Sequence, residues 1–160
     1  MGMIGYLQQV SPELLNALIQ GERDIHEYLF DQEKGEELDL DKAWHGLHYL
    51  LCGDAFQGEL PLFNALMGGR PINEHETEDI IVRYLTVEEV AEVSNALTQI
   101  GQAELKQAFE PDQMNEAGVY PSSDWNEDGE LDYLLAYYEP LKTYYQQAAV
   151  KGEGMLLYVS

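Results

Sequence analysis

The sequence has little positive charge. Its 160 residues carry 8 Lys and Arg against 30 Asp and Glu, a formal net charge of −22. Such a chain repels phosphate backbones and anionic bilayers, so neither nucleic acid nor a membrane surface is an expected partner. Cysteine is almost absent: the single Cys52 excludes an internal disulfide and fits a reducing compartment, so a cytoplasmic location is expected. No run approaches the roughly 20 apolar residues of a membrane-crossing helix, and no basic segment with a following apolar stretch opens the chain as a secretory leader would. Ready-made catalytic templates are missing as well. There is no Walker loop, no Rossmann glycine pattern after a strand and no Gly-x-Ser-x-Gly elbow, and Gly68-Gly69-Arg70 reads as a helix stop. Internal repeats and low-complexity linkers are absent too.

What is present is apolar and aromatic content. Hydrophobic residues make up 45% of the chain and Tyr alone numbers 11, enough for one domain with a sizeable core. The organising stretch is Asp39–Cys52. Leu40, Trp44, Leu47 and Leu51 follow helical spacing and predict a buried stripe. Asp39 suits the N-cap, and Asp41 suits the first turn. On the same wheel, Asp41, His45, His48 and Cys52 fall within about 60° of one another, at the edge of that stripe. Lys42, Gly46 and Tyr49 are expected to point the other way.

Carboxylate, imidazole and thiol on one seam can act as metal ligands or as a general base. The spacing matches no zinc motif, and one helix cannot close a tetrahedral site, so no metal and no cofactor are expected. His26 and His75 have no evident place in the seam. His45, His48 and Asp41 are therefore the candidate catalytic residues. The competing structural reading has both histidines hydrogen-bonded at a core edge and Cys52 as a small buried apolar group.

Taken in order, the chain predicts a strand over Met3–Val10 and a helix that Ser11 caps and Pro12 starts, burying Leu14, Leu15, Leu18 and Ile19. A second helix is predicted over Glu22–Gln32, and a short one over Leu60–Met67. Arg70–Glu78 reads as a polar loop and Ile80–Leu85 as a strand. Thr86 and Glu89 form a capping box for the next helix, and Leu105–Phe109 continues helical. Pro111–Gly129 reads as a long loop. Leu131–Val150 has helical periodicity that Pro140 is expected to kink or split. Met155–Val159 is a final strand. Both terminal strands are apolar and are expected to share one sheet. The fold class is α+β: a single domain over 1–160, with six or seven helices on a small sheet that includes both terminal strands.

Every charged side chain between Lys106 and Lys142 is acidic, and Tyr120 and Trp125 are interleaved with these charges. Aromatic anchors inside a charged rim are typical of protein interfaces. Trp44, Tyr120, Trp125, Glu127, Asp128 and Glu130 are thus the candidate ligand or partner surface. Alternatively, the rings fold back over the Trp44 core and the carboxylates are simply solvated. Asp124–Asp132 also matches the first nine positions of an EF-hand loop, but Leu135 stands where the bidentate Glu belongs. An acidic turn leading into a helix accounts for it.

Several blocks together carry a family resemblance. They are Met1-Gly2-Met3-Ile4-Gly5, Leu38–Leu51 with Asp41-Lys42-Ala43-Trp44-His45, Arg83-Tyr84-Leu85-Thr86, Phe109, Met114, Tyr120-Pro121 and Leu156-Leu157-Tyr158-Val159. As a set they resemble the YfbM-like family of small bacterial proteins. The resemblance implies one α+β domain. It implies no activity, because the family is of unknown function, and no catalytic residue carries over. Pro140 departs from the uninterrupted last helix that the resemblance leads one to expect.

Two classes of function fit these observations. The first is a non-enzymatic cytoplasmic interaction or accessory domain that meets, or meets and inhibits, a basic protein partner through its acidic surface. The alternative is a small-ligand-binding protein or enzyme that uses His45 and His48 beside the aromatic loop. The charge and the missing catalytic templates favour the first.

Overall fold

The structure is a computed structural model that describes residues 2–72, 80–121 and 124–160. Strand β1 (Gly5–Val10) leads into helix α1 (Pro12–Ile19), which starts as its sequence dictates. The Ser11 hydroxyl accepts from the Leu14 amide, and Pro12 sits where a missing N–H costs nothing. Helix α2 (Ile25–Leu29) is shorter than the Glu22–Gln32 segment expected. Asp24 caps it late by taking the amides of His26 and Glu27, and Asp31 turns the chain by accepting from Glu33 N. Strand β2 (Leu38–Asp39), helix α3 (Trp44–Cys52), and strands β3 (Arg70–Pro71) and β4 (Arg83–Leu85) follow. Helices α4 (Val87–Thr98), α5 (Gln102–Ala108), α6 (Pro111–Ala117) and α7 (Glu130–Lys151) lead to strand β5 (Gly154–Val159).

The strand order is β2-β1-β5-β4-β3, antiparallel throughout. The first and last strands are central neighbours, with Leu7 opposite Leu157, and the main chains of Ile4 and Ser160 exchange both hydrogen bonds beyond them. Both faces of this pair are covered, so its strands are buried almost end to end rather than alternating. On one face Leu7, Met155 and Leu157 pack into the main core with α3, α4 and α7. On the other, Val10, Leu156 and Tyr158 join Leu15, Leu18, Ile25 and Tyr28 of α1 and α2.

Several sequence expectations need correction. Pro140 does not split α7: the helix runs unbroken from Glu130 to Lys151. Pro140 and Ala136, whose carbonyl it leaves unpaired, both lie on the exposed side, where water can serve that oxygen. The opposite side buries Leu134, Leu135, Tyr138, Leu141 and Tyr145. At about 2 kcal/mol per buried side chain, that burial outweighs the roughly 3 kcal/mol a helical proline costs. The segment expected as one long loop, Pro111–Gly129, contains α6, with Pro111 in its first turn and Gly118 at φ 71 closing it. Leu60–Met67 forms only a 3-10 turn over Leu62–Ala65. Strand β4 begins at Arg83 rather than Ile80. The loop expected over Arg70–Glu78 begins instead as β3; residues 73–79, with His75, lie outside the described residues. The Thr86–Glu89 capping box has both its hydrogen bonds. Among the described residues no helix is long and apolar enough to cross a membrane.

Candidate functional site

The central helix begins later than its periodicity implies. Asp39 Oδ1 accepts from the Asp41 amide, and Asp41 to Ala43 form a 3-10 turn with Asp41 at φ 50. That left-handed residue swings its carboxylate away from the histidines and towards α7. There Tyr133 Oη donates to Asp41 Oδ2 at 2.6 Å and accepts from the Lys42 amide at 3.2 Å. Burial, and then the bond to Asp41, push the Tyr133 phenol pKa well up. Asp41 therefore does not share a seam with His45 and His48.

From Trp44 onward, α3 has no solvent face until its last turn: His45 to Leu50 are all buried. Gly46 and Tyr49, expected to point outward, lie inside the core. A methyl group at Gly46 would come within 2.7 Å of Leu134 Cδ2 and 3.0 Å of the Trp125 ring. The absence of a side chain lets α7 and Trp125 close over this turn. A helix packed on all sides is central rather than amphipathic.

Both histidines are spent on backbone. His45 is 3% exposed; its Nε2 lies 2.7 Å from Ala55 O, and its Nδ1 is 2.8 Å from the Tyr120 amide. A carbonyl can only accept and an amide can only donate, so the proton is on Nε2 and the ring is neutral. His48 is fully buried, and its Nε2 donates to Gln57 O at 3.1 Å. Its Nδ1 has no hydrogen-bond partner among the described residues. Burial lowers the pKa of both rings; for His48 the bond to Gln57 opposes this, and neighbouring His45 adds to it. The carbonyls that accept from the two Nε2 atoms come from one tight turn, in which Asp54 Oδ1 accepts from the Phe56 and Gln57 amides. Cys52 ends the helix with its thiol pushed up to about 11, first by burial and then by Asp54. Among the described residues no group of His, Cys, Asp and Glu side chains is arranged to hold a metal.

The aromatic residues divide. Trp125, expected as a surface anchor, is 1% exposed, and its Nε1 donates to Val119 O at 3.2 Å. Its bulk and apolar ring place it in the core, beneath the acidic segment. Trp44 and Tyr120 are half-buried and stack with centroids 5.7 Å apart. Together they hold the N-terminal segment: Trp44 Nε1 donates to Met3 O, and Met3 N donates to Tyr120 Oη.

Above Trp125, Asp112 and Asp124 belong to one hydrogen-bond network. Asn115 Oδ1 accepts from the Trp125 amide while its Nδ2 donates to Asp124 Oδ1 at 3.0 Å. Asn126 N donates to Asp124 Oδ1, and Asn126 Nδ2 to Asp112 Oδ1, both at 2.9 Å. Glu127 and Asp128 are exposed, and Glu130 is half-buried. Desolvation, then the charges of Glu127 and Asp124, raise the Glu130 pKa. Asp112 on α6, Asp124 and Glu127 ahead of α7, and Glu130 at its start thus meet in one patch. The asparagines that join them escaped the sequence reading. Their only signal is Asn115 and Asn126 flanking an Asp in a turn-rich segment.

An antiparallel sheet with its terminal strands in the middle, seven helices among the described residues and a buried central helix define an α+β domain. The chain belongs to the family described as a domain of unknown function, DUF1877, whose model matches residues 1–158. Protein YfbM of Escherichia coli (strain K12) is 32% identical over 134 residues, covering 80% of this chain and 78% of that protein. The crystal structure of YfbM, described as a protein of unknown function, superposes with a TM-score of 0.75 at 27% identity. That match covers 98% of this chain and 99% of the other.

Proposed function

We propose that the protein is a non-enzymatic cytoplasmic interaction domain whose acidic patch docks a basic segment of a protein partner. The observation that carries this reading is the joining of Asp112, Asp124, Glu127 and Glu130 into one patch across two helices. No Lys or Arg occurs between Lys106 and Lys142 to neutralise it. Such a field attracts cationic partners over about a Debye length and speeds their encounter. Half-buried Tyr120 and Trp44 are the candidate aromatic anchors; buried Trp125 supports the patch from below. The alternative of a site at His45 and His48 is less favoured, since both rings are buried and their Nε2 atoms are bonded to carbonyls.

A labelled lysine- and arginine-rich peptide tests the patch by fluorescence anisotropy. Binding is expected to weaken with salt and to fall further in Glu127→Ser/Asp128→Ser/Glu130→Ser than in Glu13→Ser/Glu22→Ser/Glu27→Ser. Both triples remove the same charge, and the second removes it at exposed positions on α1, α2 and the turn between them. Equal losses from the two triples would mean that net charge, not the patch, attracts the peptide.

A further inference from the structure

A guanidinium without a carboxylate is out of place in a chain of net charge −22. Arg23 pairs with Asp31 at 2.6 Å, and Arg70 pairs with Glu89 at 2.8 Å. Arg83 has no ion pair among the described residues. Its Nη1 donates to Gly68 O at 2.6 Å and its Nη2 to Leu66 O at 3.2 Å. It lies opposite Leu157 in the β4–β5 ladder, two residues from core Leu85, and so projects from the sheet face that carries the main core. Desolvation there works against its charge. Two carbonyls compensate a desolvated cation only in part. A guanidinium has five N–H donors, so three remain for something else.

Arg83 borders a cleft of about 300 Å³ whose other walls are Trp44, Phe56, Phe63, Leu66 and Met67. Among the described residues no carboxylate lines it. Phe56 is 64% exposed, an unusual position for a large apolar ring, yet it is held in place. The Asp54 turn fixes its amide, and its ring lies 5.2 Å from that of His45. Volume of this size is at the small end for ligand clefts, and apolar walls with one fixed charge suit an amphiphilic ion.

We propose that this cleft, with Arg83 as its charged group, binds a small monocarboxylate carrying an aromatic or aliphatic body. The planar carboxylate matches the planar guanidinium, and the body takes the place of water against the aromatic walls. One guanidinium balances one negative charge. A phosphate monoester, with nearly two, would remain half-neutralised in an acidic protein.

The test is a nuclear magnetic resonance titration of the whole protein with 3-phenylpropionate and with its neutral amide, 3-phenylpropionamide. The acid is expected to shift the Trp44 indole and Arg83 guanidinium signals saturably. The amide, lacking the charge-assisted bonds, should bind about tenfold or more weakly. Arg83→Met should remove the preference for the acid. Phe56→Ala, at an exposed position, should weaken acid and amide alike. If Arg83→Met does not fold, Arg83→Lys keeps the charge without the fork and should lower acid affinity. Absence of saturable shifts in the wild type, equal affinity for acid and amide, or a preference that survives Arg83→Met would overturn the proposal; so would unchanged acid affinity in Arg83→Lys. The acid should still bind Glu127→Ser/Asp128→Ser/Glu130→Ser, so this site and the acidic patch fail or stand separately.

Discussion

The amide of Tyr120 donates to Nδ1 of His45 at 2.8 Å, joining positions 75 residues apart. The same ring donates from Nε2 to Ala55 O, so one imidazole ties the turn after α3 to the segment after α6. Its neutrality is therefore a structural requirement.

The pH dependence of stability follows. An unfolded histidine titrates near 6.5, and burial holds His45 and His48 below that. As pH falls below about 6.5, the unfolded chain takes up these protons first, so the stability present above that pH is progressively lost. Urea midpoints measured from pH 7.5 to 5 should fall in the wild type and fall less in His45→Gln/His48→Gln. Parallel curves would show that other groups dominate. At pH 7.5, His45→Ala should cost about 3 kcal/mol, since it leaves a cavity and two unpaired backbone groups.

Asp41 combines a left-handed backbone with a hydrogen bond from Tyr133. Asp41→Ala loses the bond and keeps the strained φ, so it should destabilise by about 1–2 kcal/mol. Asp41→Asn still accepts from Tyr133 and tolerates this conformation, so its cost should be smaller. Asp41→Gly should fall between them, losing the bond and relieving the strain. Chemical denaturation that ranks Ala as the mildest of the three would contradict this account.

Cys52 should be chemically quiet. With its thiol near 11, the thiolate fraction at pH 8 is roughly a hundredfold below that of a free cysteine. Labelling by a disulfide reagent should be correspondingly slow in the native protein and should speed up in urea. Native labelling at the rate of free cysteine would mean that the thiol is not held as described.

Local signals carried much of the fold. The Ser11 and Thr86 caps and the apolar terminal segments are read from a few adjacent residues, and they set the starts of α1 and α4 and the central strand pair. Strands β2 and β3 were not legible, because two residues cannot display a period. Helix α6 is bracketed by Pro111 and Gly118 but shows no helical period, because its seven residues bury a single side chain, Met114. The outward placement of Gly46 failed because a helical wheel assumes a solvent face, and contact with α7 and Trp125 leaves α3 without one. Of the candidate residues, those of the acidic segment could be seen in order along the chain. Their joining through Asn115 and Asn126 depends on how α6 folds back, and the hydrogen bonds of Arg83 to the Gly68 and Leu66 carbonyls exist only once strands are paired. No pattern in the sequence encodes either relationship.

The pairing of β1 with β5 has a consequence for synthesis. The centre of the sheet needs residues 5–10 and residues 154–159 at once. While the chain is being made, β1 has only the two-residue β2 beside it and presents an open apolar edge. The sheet can close only after residue 159 has emerged from the ribosome, so until then the nascent chain lacks its central strand pair.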